Sequence, residues 1–151
     1  MIPYQIKVTS KIGTVPTLIR NFADMKQEWK RFPLTLLLTA AVWVVCLMPV
    51  PETELSDVPM IDKWTHLVMY GGLTLVFWTE LWRSRLPWPL GKRLAWGVAA
   101  PVVMSGIIEL MQAYCTGGNR SGEWLDFAAN TLGVALGCTA GLLAFKWRRR
   151  C

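Results

Sequence analysis

Side chains capable of proton chemistry recur in this sequence at helical spacing, inside stretches that are otherwise apolar. Asp62, His66 and Tyr70 follow at steps of four, which stacks them on one face of a helix. Glu109 and Gln112 stand one turn apart in a second apolar run, and Asp126 and Asn130 one turn apart in a third. Arg120 falls in the polar stretch between those two runs. Imidazole titrates near neutrality without help, so His66 can serve as acid or base, with Asp62 or Asp126 orienting its ring. Glu109 can hold Arg120 or act as a second acid or base. The planar fork of Arg120 suits a phosphate or carboxylate, and Gln112 and Asn130 can donate hydrogen bonds. Catalytic candidates are therefore His66, Glu109 and Asp126. Ligand-binding candidates are Asp62, Tyr70, Gln112, Arg120 and Asn130.

A metal on His66, Glu109 and Asp126 matches poorly with the His- and Cys-rich sets that transition metals favour. No metal or other cofactor is expected. The sequence also has no GxSxG elbow, P-loop or HExxH helix, so no standard catalytic class is indicated.

Four apolar runs must position these residues: about 34–50, 64–82, 94–114 and 124–147. Such lengths suit a hydrocarbon core of roughly 30 Å. Of the 151 residues only 17% are charged, against roughly 25% in soluble domains. The expectation is an all-α integral membrane four-helix bundle over 34–147, preceded by a cytoplasmic segment 1–33 and followed by a basic tail 148–151. The first apolar run lies behind a basic polar stretch too long for a cleavable signal peptide, so it reads as a retained span. Pro101 predicts a kink in the third span.

Charge sets the orientation. Of 16 basic residues, all but Lys63 and Arg120 fall in the N-terminal segment, the loop after the second span, or the tail. The first loop carries Glu52, Glu54, Asp57 and Asp62 instead. The positive-inside rule then places both termini in the cytoplasm of a multi-pass bacterial inner-membrane protein. It also explains the net charge of +6 without a nucleic-acid partner. With this topology the candidate residues gather at the outer face, on three helices at similar depth. Ionisable groups there are costly and are functional candidates by default. At the inner ends, Glu80 has Arg83 and Arg85 as easy surface partners.

Leu18, Phe22, Met25, Trp29 and Phe32 share one face of a basic amphipathic segment. That segment is expected to lie in the interface against anionic lipid. In the fourth span, Ala129, Gly133, Gly137 and Gly141 form a small-residue stripe that permits close helix approach. The four cysteines have no metal spacing and read as small apolar fillers, although the topology permits a Cys46–Cys115 bridge.

Asp62-Lys63-Trp64-Thr65-His66 with Tyr70, then Glu109-x-x-Gln112, Arg120, and Asp126-x-x-x-Asn130-x-x-Gly133-x-x-x-Gly137 together resemble the VanZ-like family. The resemblance covers about residues 62–143. It implies a small bacterial membrane protein, linked through the founding member to resistance to the glycopeptide teicoplanin. Two departures stand out: Ile108 occupies a position often acidic in that family, and Gly117, Gly118 and Asn119 lengthen the loop before Arg120.

Two functions fit these residues. The cluster can bind, and chemically modify, a membrane lipid or lipid-linked envelope precursor through its headgroup. Alternatively, buried His–Asp and Arg–Glu pairs lock the bundle or engage a protein partner, in a homo- or hetero-oligomer, without catalysis.

Overall fold

A computed structural model of the chain describes residues 27–49, 60–115, 122–148 and 150. Among these the structure is helical, without strands. Four helices, α1 (Pro33–Leu47), α2 (Ile61–Ser84), α3 (Leu90–Cys115) and α4 (Trp124–Arg148), fall on the four apolar runs. Proline sets both limits of α1. Pro33 occupies its first turn, where no N–H is needed, and Met48 is extended because Pro49 follows it.

Pro101 lies inside α3, where its ring crowds the carbonyl four residues back. The helix responds with a π-turn over Ala95–Ala99, in which the Ala100 N–H reaches the Ala95 carbonyl. Gly97 sits in that turn against Phe77 and Trp78. A Cβ there would lie 2.7 Å from one ring and 3.2 Å from the other.

The tightest packing joins α2 to α4, backbone on backbone. A Cβ on Gly133 would strike the Leu67 carbonyl oxygen, and one on Gly137 the Gly71 carbonyl oxygen. One on Gly141 would lie 2.9 Å from the Trp78 Cβ. The partners advance in the same direction along both helices, so α2 and α4 run parallel. Ser105 and Glu109 of α3 meet Asn130 and Glu123 in reverse order, so α3 runs antiparallel to α4. The glycine stripe of the fourth apolar run therefore meets α2, at Leu67, Gly71, Thr74 and Trp78.

The structure corrects two readings at the other end. Glu80 is not a surface partner of arginines. It is buried and accepts hydrogen bonds from the Leu34 N–H (2.9 Å), the Thr35 N–H (3.0 Å) and the Thr35 hydroxyl (2.7 Å). A carboxylate thereby satisfies the open N–H groups at the start of α1 and complements its dipole. Phe32, assigned to an interfacial face, is fully buried between Phe77 and Trp88, with ring centroids 5.5 and 5.4 Å away. It precedes Pro33 and leaves the helical register, so its ring joins the core instead. Leu18, Phe22 and Met25 lie outside the described residues.

Glu80→Ala should therefore destabilise the fold by about 1–3 kcal/mol, the cost of orphaning buried donors. Glu80→Gln should lose less, because its amide oxygen still accepts. Thermal unfolding in detergent measures both, and a wild-type melting temperature for Glu80→Ala would overturn the capping role.

Two helices, α3 and α4, are long and apolar enough to cross a membrane. α1 is apolar but has 15 residues, about 22 Å at 1.5 Å per residue. α2 has the length, with 24 residues, but carries Asp62, Lys63, His66, Glu80 and Arg83.

Candidate functional site

Helix direction brings three ends together: the starts of α2 and α4 and the end of α3. Asp62 and Asp126 each occupy the first turn of their helix, where a carboxylate is favoured by the dipole. That local preference accounts for two acids at this end before any ligand is considered. It does not account for the side chains one turn further in.

There, Asn130 is fully buried and links three helices. Its Nδ2 donates to the Ser105 Oγ at 2.8 Å and to the Glu109 Oε1 at 3.3 Å. Its Oδ1 lies 3.0 Å from the His66 Nδ1. A carboxylate only accepts, so the Asn130 amide nitrogen must face Glu109 and its oxygen must face His66. That oxygen also only accepts, so Nδ1 carries a proton. Nε2 is then turned toward Asp62, whose Oδ1 lies 3.7 Å away. Asn130 thus orients the His66 ring and fixes the proton on Nδ1.

Glu109 receives a second hydrogen bond, from the Glu123 backbone N–H at 3.2 Å. This contact needs the chain to pass close to α3, and Gly122 provides it, because a Cβ there would collide with the Glu109 carbonyl oxygen. Lys63 spreads its ammonium over three carboxylates: Glu123 at 2.6 Å, Asp126 at 3.0 Å and Asp62 at 3.8 Å. Burial opposes its charge, yet the hydrogen bonds to Glu123 and Asp126 outweigh that and raise its pKa above the ordinary lysine value. Lys63 is a fixed cation at neutral pH.

One ligand atom from each of Asp62, His66 and Asp126 falls within 4.8 Å of the others. Two carboxylates and one imidazole with a secured second nitrogen could hold a divalent cation. The Lys63 ammonium already stands among these carboxylates, however, and supplies compensating charge. That single charge offsets only part of the negative charge gathered there.

Of the residues singled out in the sequence, His66, Glu109, Asp126, Asn130 and Asp62 come together in this cluster. Gln112 does not join it. Its Nε2 donates to the Cys46 carbonyl at 2.8 Å, one of the carbonyls left open at the end of α1. Tyr70 is fully buried in the core with Val42, Cys46, Ile108 and Val134. Arg120 lies outside the described residues. Cys46 and Cys115 form no disulfide, so the bridge that topology permits is not made.

Lys63, Ser105 and Glu123 belong to the cluster without having been singled out. Ser105 could have been found, because it stands four residues before Glu109 on the same helical face. Lys63 and Glu123 gave no periodic signal.

Beside the cluster, α3 and α4 leave a groove of about 430 Å³. Val103, Ile107, Leu110 and Phe127 line its apolar length, and Glu109 and Glu123 close its polar end. Glu109 thus touches both the groove and the Asn130–His66 pair. No protein-family model, curated protein or solved structure matches the chain.

Proposed function

We propose that this is a four-span inner-membrane protein with both termini in the cytoplasm, whose acidic end faces outward and binds the headgroup of a lipid or lipid-linked envelope precursor. The observation that carries this reading is His66, bonded through Nδ1 to Asn130, in a cluster whose Glu109 also closes an apolar groove. An acyl or prenyl chain would lie in the groove, and its headgroup would meet Glu109, Glu123, Asp62 and His66. Asp62, Glu109, Glu123 and Asp126 outnumber the single ammonium of Lys63, which favours a headgroup offering hydroxyl or amine donors. His66 Nε2 would take a proton from such a donor, and Arg120 would pair with the phosphate or carboxylate of the same ligand. The VanZ-like resemblance points the same way, toward an envelope ligand and glycopeptide resistance.

The membrane placement is supported by the outward faces of the helices. Leu36, Leu37, Val103, Ile107, Leu110, Leu136 and Leu143 are each 44–65% exposed, an apolar surface that water would penalise. Only 28% of the apolar window of α3, and the same of α4, is buried. Helix directions alternate as four successive crossings require. The basic residues Arg83, Arg85, Lys92, Arg93, Lys146 and Arg148 all lie at the end opposite the acidic cluster.

A second reading is favoured by one specific observation. Asn130, Ser105 and Glu109 bond mainly to one another, as polar groups that lock helices together also do. The two readings differ in what mutation of the cluster does.

Orientation has its own test. A periplasm-reporting enzyme fused within residues 53–57 or 117–119 should give signal, and one fused at residue 88 or after Cys151 should give none. Signal from the C-terminal fusion would invert the topology and end the outward-facing site.

A further inference from the structure

At the basic end, α2 and α4 finish side by side, and the proposed function makes no use of the arginines there. Trp82 and Phe145 stack between the two helices, with ring centroids 4.8 Å apart and planes inclined by 21°. Two adjoining grooves share this aromatic pair. One, of about 600 Å³, is edged by Arg83, Arg85 and Arg148. The other, of about 560 Å³, is edged by Arg85 and Arg93. Arg93 is tethered by its Nε to the Trp88 carbonyl at 2.6 Å, which holds its guanidinium at the groove. Among the described residues, Arg83, Arg85 and Arg148 make no ion pair.

Two ordinary causes put cations here. They complement the C-terminal ends of helix dipoles, and cytoplasmic loops of membrane proteins are basic whatever they bind. Neither explains Arg85. It caps α2 with φ 52° and ψ 27°, in the left-handed region. Glycine or asparagine normally fills that position, because a Cβ is strained there. An arginine is held at a conformational cost, and its side chain is the one shared by both grooves. A strained residue at a convergence of unpaired charge points to a ligand.

We propose that the two grooves together bind one phospholipid carrying two phosphodiesters joined by a short polar bridge, as in diphosphatidylglycerol. One phosphate sits among Arg83, Arg85 and Arg148, and the other between Arg85 and Arg93. Planar guanidinium forks match phosphate oxygens in pairs, and basic pockets between helices on the cytoplasmic side are suited to such headgroups. The proximal acyl carbons then lie against Trp82, Phe145 and Leu86. This inference takes from the proposed function only the placement of the helices in a bilayer. It is indifferent to what the acidic end binds.

The test is thermal unfolding of the full chain in neutral detergent, titrated separately with diphosphatidylglycerol, phosphatidylglycerol, phosphatidylcholine, inorganic phosphate and pyrophosphate. The two-phosphate lipid should raise the melting temperature saturably at one lipid per chain. Phosphatidylglycerol at equal phosphate should need about tenfold more, the equivalent of one charge-assisted contact. Arg85→Gly should melt at or above the wild-type temperature without lipid, because it relieves the left-handed strain. It should nevertheless need about tenfold more two-phosphate lipid. Lys146→Gln removes a charge at the same end that edges neither groove, and it should respond as wild type.

Equal potency of phosphatidylglycerol would overturn the two-phosphate site. So would a loss in Lys146→Gln as large as in Arg85→Gly, since surface charge alone would then suffice. Stabilisation by inorganic phosphate or pyrophosphate equal to that by the lipid would reduce the grooves to phosphate sites and overturn the lipid. Failure of the bilayer reading is distinguishable, because the chain would then stay monodisperse without detergent whatever the grooves bind.

Discussion

On the proposed reading, His66→Asn is expected to abolish the activity of the acidic end while leaving the folded level of the protein close to that of wild type. The asparagine amide nitrogen falls near the position of Nδ1 and can still donate to the Asn130 Oδ1, so the link from α2 to α4 is kept. What disappears is Nε2, the ring nitrogen that faces Asp62. A positioned base contributes about 10²–10⁴-fold to a proton-transfer step, so activity should fall by that order. Glu109→Gln sharpens the comparison, because it keeps shape and hydrogen bonding while removing charge from the end of the groove. Asp126→Asn does the same beside Lys63. Glycopeptide susceptibility, or the lipid profile by mass spectrometry, supplies the activity; thermal unfolding in detergent supplies the stability. A bundle-locking role predicts that the two measurements fall together across His66→Asn, Glu109→Gln and Asp126→Asn. A binding site predicts lost activity in variants that melt near the wild-type temperature. Stable variants with full activity would sink the working-site reading.

The largest structural effect is expected from Gly137→Leu, which should leave little folded protein. Ordinary overpacking costs about 1–3 kcal/mol because side chains move aside. At Gly137 the obstacle is the carbonyl oxygen of Gly71 together with the Thr74 Cβ at 3.0 Å, and helix backbone cannot yield locally. The whole α2–α4 contact must open, so the cost should exceed that range. Adjacent glycines in α2 provide an internal control. A Cβ on Gly71 would lie 3.3 Å from the Gly133 carbonyl oxygen, whereas one on Gly72 meets nothing within 4 Å. Gly71→Leu should therefore be damaging and Gly72→Leu nearly neutral. Leu142→Ala and Leu143→Ala should also be mild, since both leucines are exposed, at 46% and 62%. Equal melting temperatures for Gly137→Leu and wild type would remove the close-packing claim.

The sequence by itself determined which residues share a helical face. Asp62 with His66, Asp126 with Asn130, and the Gly133–Gly137–Gly141 stripe follow from a period of 3.6 residues. The four apolar runs likewise carry their own helical signal, and proline marks where α1 begins and ends. Periodicity does not say which neighbour a face will meet. Gln112 lies one turn beyond Glu109, yet that step leaves it about 60° around the helix, enough to turn it from the cluster toward the Cys46 carbonyl. Glu80, read beside Arg83 and Arg85 along the chain, finds its partners at the start of α1, 45 and 46 residues away. Phe32 leaves the amphipathic period because Pro33 ends it, and its ring joins Phe77 and Trp88. Lys63, Ser105 and Glu123 enter the site only through the crossing of α2, α3 and α4 at one end. The protonation of His66 Nδ1 belongs to the same category. It depends on an amide held by two acceptors on another helix, a relation that spacing along one helix cannot encode. Faces were local properties of the chain; partners, burial and the proton on His66 Nδ1 were decided by how the helices pack.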